Sequence, residues 1–195
     1  MTAQHPHIFL GLDLGQRQDP AALAVLERTH EFTNHRDPVT LEFDNYIRFT
    51  LRHVERFCLG LPYITIVERI ARFVRDLPSM TTLYDPHLSL VVDASGVGAP
   101  VVEMLRSASM GISIFPVIIT AGEQAHPSPK GCYNIPRRDL VTRLRISLEK
   151  QTLKIPSTIH DRAALLDELL TLGDRSGTRH DDLAIAVALA VYWAS

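Results

Sequence analysis

A chain of 195 residues, 46% hydrophobic and 22% charged, with 10 Gly and 12 Pro, can bury the core of one domain without covalent staples. This balance excludes collagen-like, disordered and disulfide-scaffold classes. The net charge of −2 names no partner, and Cys58 and Cys132 lie in no CxxC motif, so they read as reduced thiols of a cytosolic protein. No secretory signal is visible, and the longest apolar run, Leu183–Ala194, is too short to span a bilayer. The expectation is a cytoplasmic protein with no membrane partner.

His7–Leu14 reads as a buried strand ending at Asp13, with Gly15 allowing a turn. Ala21–Leu26 reads as a second strand in hairpin fashion, and Thr29–Pro38 as a polar, turn-like segment. Over Asn45–Phe57, Tyr46, Phe49, Leu51 and Val54 interleave with Arg48, Arg52 and Arg56, the pattern of a third strand. After Gly60-Leu-Pro62, apolar residues from Tyr63 to Leu77 recur at helical spacing. Leu88–Asp93 is a short buried strand, and Gly96-Val-Gly98-Ala-Pro100 turns it into a helix that runs to about Ser107. Ile112–Thr120 is a further strand, and Ala121–Asn134 is expected to be a loop. Arg137–Lys150 is an amphipathic helix, Leu153–Ile155 a short strand and Ala163–Leu172 a helix. A polar loop over 173–179 precedes a final helix opened by Asp181. An antiparallel meander of three strands followed by βα units predicts an α/β fold, a mixed sheet with helices on both faces.

Three acidic sites stand out by position: Asp13 and Asp93 each end a strand, and Asp181-Asp182 begins the last helix. Carboxylates at the same end of neighbouring strands converge in a crevice, where open α/β sheets bind ligands. Clustered carboxylates repel and raise one another's pKa, and a divalent cation relieves that cost. Mg²⁺ and Mn²⁺ favour hard oxygen ligands. Two such ions about 3.5–4 Å apart would activate a water and stabilise the leaving oxygen in phosphodiester cleavage. The bland alternatives are a turn-capping Asp13, a βα-turn Asp93 and an N-capping Asp181 or Asp182.

Charge is also unevenly spread. Residues 130–150 carry Lys130, Arg137, Arg138, Arg143, Arg145 and Lys150 against Asp139 and Glu149, a net of +4 on an acidic body. Such a segment suits a polyanion or a solvated helix face.

The motifs Gly11-Leu-Asp-Leu-Gly15 with Asp19, Leu61–Val67, Val91-Val-Asp-Ala-Ser-Gly-Val-Gly-Ala-Pro100, Ile135–Leu140, Leu153–Pro156 and His180-Asp-Asp-Leu-Ala-Ile-Ala-Val-Ala-Leu-Ala190 occur in this order over nearly the whole chain. Together they resemble the C-terminal nuclease domain of the large terminase subunit of tailed bacteriophages, a ribonuclease H-like fold. The resemblance implies a metal-dependent DNA endonuclease that cuts concatemeric viral DNA during packaging, working in the cytoplasm of a bacterial host. It implies that Asp13 and Asp93 ligate two Mg²⁺ or Mn²⁺ ions, with Asp13 bridging. Asp182 or Asp181 completes the set, and His180 is a nearby auxiliary. It also implies that Lys130, Arg137, Arg138 and Arg145 contact the phosphates of double-stranded DNA.

The chain departs from the family in having no GxxxxGK[ST] motif. It is therefore expected to be a single nuclease domain over 1–195 without the packaging ATPase, which would be a partner, as would portal or small-terminase components. Two other readings compete. An actin-like ATPase or kinase-type domain also begins with a strand and Asp-x-Gly, but needs a second phosphate motif and a second domain. A DNA-binding or assembly module could keep the fold without cleaving.

Overall fold

A computed structural model describes residues 7–15, 19–36, 38–39, 41, 43–80, 87–96, 98–127, 131–172 and 180–195. The elements in chain order are β1 (His7–Asp13), β2 (Ala22–Arg36), β3 (Phe43–Arg56), α1 (Tyr63–Met80), β4 (His87–Asp93), α2 (Gly98–Ser107), β5 (Ser113–Thr120), β6 (His126–Pro127), β7 (Tyr133–Pro136), α3 (Arg137–Glu149), β8 (Leu153–Lys154), α4 (Arg162–Thr171) and α5 (Asp182–Ala194). The strands form one mixed sheet in the order β6-β7-β5-β4-β1-β2-β3-β8. β1, β2 and β3 are an antiparallel meander, while β4, β5 and β7 extend the other flank parallel to β1. This is the α/β mixed sheet the sequence predicts.

β1 is central, and its apolar run follows from burial on both faces. Ile8, Leu10 and Leu12 point to a core shared with Ile66, Ile70 and Val74 of α1 and Val101 and Leu105 of α2. Phe9 points the other way, into a core built on α5 with Leu140 and Leu144 of α3 and Leu165 of α4. Each such fully buried aliphatic side chain contributes about 1.5–3 kcal/mol. α5 is apolar on every side because it lies between the sheet and two helices, contacting β1, β2, β3, β4, α3 and α4. Its alanines let it approach closely. A Cβ on Gly11 of β1 would collide with the Ala186 carbonyl and the Ala190 amide. Among the described residues, no helix is long and apolar enough to cross a membrane.

Two expectations need correction. Thr29–Pro38 is not a turn: β2 continues to Arg36 as a two-stranded ribbon with β3. Cross-strand polar pairs support the ribbon, with Tyr46 Oη donating to Glu31 Oε2 at 2.6 Å and Arg48 salt-bridged to the same carboxylate. An exposed ribbon needs no apolar alternation, so hydrophobic periodicity does not reveal it. Likewise 121–134 is not all loop, because β6 and the start of β7 pair there as a short hairpin on the sheet edge.

Parallel register brings chemistry to one end of the sheet. Asp13 and Asp93 are direct partners on adjacent strands. At the same level Asp93 pairs with Val117, Asp13 with Ala22, and Ala22 with Arg56. α3 and α5 both begin at this end, immediately after Pro136 and Asp181.

Candidate functional site

Asp13 ends β1 in a half-buried position beside Asp93. Burial first, then the charges of Asp93, Asp182 and Asp181, push its carboxyl well above the usual range, against a smaller opposing pull from Arg137. Asp93 is also raised by burial, although hydrogen bonds with Ser95 counter the rise. The Ser95 N–H donates to Asp93 Oδ1 at 2.8 Å, and the Ile119 N–H donates to Ser95 Oγ at 2.8 Å. Ser95 thus ties the turn after β4 to β5, and Gly96 follows with a left-handed φ of 86° that glycine adopts without strain.

Asp182 opens α5 and is buried, with its side chain 8% exposed. Its Oδ2 has no hydrogen-bond partner among the described residues. Among the described residues, the basic side chains beside it are Arg56, with Nε 3.8 Å away, and His180, with Nδ1 3.8 Å away. Burial raises its carboxyl to about 6, with Arg56 and His180 opposing and Asp19 and Asp181 reinforcing the rise. Asp19, His180 and Asp182 present ligand atoms that all lie within 4.8 Å of one another. Asp19 returns to the site through a tight loop end, where a Cβ on Gly15 would collide with the backbone of Asp19 and Pro20. A hard, oxygen-rich set holding a buried carboxylate oxygen without a partner fits a divalent cation.

The two adjacent aspartates diverge. Asp181 is half-exposed, and its carboxylate forms an ion pair with Arg137. Asp182 turns inward to Asp19 and His180. Of the candidate DNA contacts, Lys130 lies outside the described residues. Arg138 is exposed, 3.5 Å from Asp139 and donating to the Glu123 carbonyl. Arg145 is exposed, yet its guanidinium donates to the Leu172 carbonyl at 2.6 Å, which ties α3 to the end of α4. Arg143 lies over the Tyr192 ring.

Sequence reasoning did not single out Arg56, Ser95 or Glu168, and it left Asp19 as a motif residue without a role. Glu168, on α4, is buried. Its Oε2 accepts from the Ala184 N–H at 2.8 Å and its Oε1 from Arg56. Burial raises this carboxyl to about 7 against the pull of Ala184 and Arg56. The only sequence signal for Glu168 is an acid inside the apolar stretch Ala163–Leu172, and amphipathic helices often show that.

No protein-family model matches the chain, and no curated protein matches it. Solved structures do. The human cytomegalovirus terminase nuclease domain, in a Mn-soaked structure, superposes with a TM-score of 0.64 at 17% identity, covering 100% of this chain and 87% of that one. The large terminase nuclease from thermophilic phage G20c superposes at 0.54 with 21% identity, covering 95% of this chain and 81% of that one. The chain therefore has the fold of terminase nuclease domains, the ribonuclease H-like arrangement that the motifs imply.

Proposed function

We propose that the chain is a metal-dependent endonuclease that cleaves double-stranded DNA, with Asp13, Asp93 and Asp182 as its ligand set for two Mg²⁺ or Mn²⁺ ions. The carrying observation is the register of Asp13 against Asp93, with the partnerless Oδ2 of Asp182 at the same end of the sheet. The shared fold and the manganese soaked into one structural neighbour support it. When bound, the ions would supply an activated water and stabilise the leaving oxygen.

The chain's own residues supply position and charge. β1 and β4 fix two carboxylates on adjacent rigid strands, and α5 fixes the third at its N-terminal end, where the helix dipole favours a negative charge. Asp19 and His180 lie beside Asp182 as auxiliary ligands. Arg137, paired with Asp181, and the exposed Arg138 place cations on the rim for DNA phosphates, with Lys130 in the same basic segment. Arg145, already engaged with Leu172, contributes charge to that face rather than a free fork. In a packaging role, an ATPase would drive the DNA.

The test is supercoiled plasmid incubated with purified protein and Mn²⁺ or Mg²⁺. Nicked and linear products are expected, falling to background with Asp93→Ala. DNA that is bound but left intact with either ion refutes the nuclease reading and favours a non-cleaving DNA-binding module.

A further inference from the structure

Arg56 and Glu168 form a charged bridge behind Asp182. Arg56 is the last residue of β3, and its backbone N–H donates to Asp161 Oδ2 at 3.1 Å, which ties the strand to the start of α4. Its guanidinium Nη2 donates to Glu168 Oε1. The other Glu168 oxygen accepts from the Ala184 N–H, in the first turn of α5. That helix has no side-chain cap from its own N-cap residue, Asp181, so the Glu168 carboxylate satisfies one of its open amides from a neighbouring helix. Both Glu168 oxygens are therefore engaged, one by the strand and one by the helix that carries Asp182.

The remaining end of the guanidinium faces Asp182. Arg56 Nε and Asp182 Oδ2 are both buried, both without a hydrogen-bond partner among the described residues, and 3.8 Å apart. A gap of 3.8 Å is too long for a hydrogen bond. Two opposite charges would ordinarily close it, because leaving buried polar atoms unpaired is costly. The Glu168 clamp on Nη2 accounts for the gap by holding the guanidinium back.

We propose that Glu168 and Arg56 are a positioning pair: Glu168 keeps Arg56 near enough to attract the Asp182 carboxylate but too far to occupy Oδ2, which stays open to a cation. The proposal rests on the metal-site reading above. Without the Glu168 charge, the guanidinium is free to settle onto Oδ2 and compete with the ion. The effect of Glu168 on metal binding must then run through Arg56. A carboxylate that merely capped α5 would act whether or not Arg56 were present.

The experiment is calorimetric titration of the full chain with MnCl₂, using wild type, Glu168→Gln, Arg56→Gln and the double variant, with melting curves in EDTA to confirm folding. Glutamine keeps the size and an oxygen for Ala184. Glu168→Gln is expected to weaken Mn²⁺ binding about 10–100-fold, the usual cost of losing a partner that orients a metal ligand. In the Arg56→Gln background the same change is expected to have little effect, about threefold or less, by the double-mutant cycle. Equal weakening in both backgrounds, or none in the wild-type background, overturns the pair. Wild type that binds no Mn²⁺ overturns the metal site and the pair with it. Should Glu168→Gln not fold, Arg56→Lys replaces it. An ammonium lacking the fork is expected to slip onto Asp182 and weaken Mn²⁺ by the same order, and unchanged affinity overturns the pair.

Discussion

Replacing Asp182 with asparagine should make the metal-free chain more stable. The Asp182 carboxyl sits at about 6 in the fold, against an ordinary 3.8, chiefly because it is buried. A rise of that size costs the ionised folded form about 3 kcal/mol. Below about pH 3 the group is protonated in both folded and unfolded chains and contributes nothing. As pH climbs from there to about 6 the unfolded chain ionises first, so the fold loses stability; above that the penalty is constant. Glu168, at about 7 against 4.5, extends the decline toward neutrality. Asp182→Asn removes its share, so at pH 8 in EDTA the variant should gain up to about 3 kcal/mol. For a chain of this length that is roughly 6–12 °C in Tm. Differential scanning calorimetry at pH 5 and pH 8 reads the effect, which should be larger at pH 8. Saturating Mn²⁺ should then raise wild type and leave the variant nearly unmoved. A variant that melts at or below wild type at pH 8 without metal would refute this electrostatic account.

Two more expectations concern other parts of the molecule. Gly11→Ala, which drives a methyl into the α5 backbone, should lose about 1–3 kcal/mol or more, read as a lower urea midpoint at unchanged m; no loss would contradict the close approach of β1 and α5. Arg138→Ala should weaken duplex DNA binding and flatten its salt dependence by about one unit of slope, measured by fluorescence anisotropy. Arg145→Ala should leave that slope nearly unchanged and lower stability instead, because its guanidinium is spent on Leu172.

Legibility in the sequence followed the distance over which each residue is determined. Asp13 and Asp93 were legible as strand ends because each closes an apolar run, and the apolar pattern itself marks the strand's last residue. Asp182 was legible as a helix start because an acidic pair precedes an unbroken alanine-rich stretch. The polar half of β2 was hidden, since Glu31, Tyr46 and Arg48 support each other across strands rather than through burial. Asp19, Arg56 and Glu168 meet partners remote in sequence: Glu168 meets Arg56 across 112 positions, and the Ser95 hydroxyl meets Ile119 across 24. No local period encodes such a meeting. The different surroundings of Asp181 and Asp182 were closed to sequence reasoning for a related reason, because Arg137, which engages the first of them, lies 44 positions away.

The close approach of Gly11 to Ala186 and Ala190 acts as a spacer between Asp13 and Asp182. β1 ends at Asp13 two residues beyond Gly11, and Asp182 lies one helical turn before Ala186. Strand and helix therefore meet backbone to backbone just beneath the acids, and the interval between their carboxylates is gauged by main-chain thickness. Bulkier residues at this seam would wedge the two acids apart even if neither acid were altered.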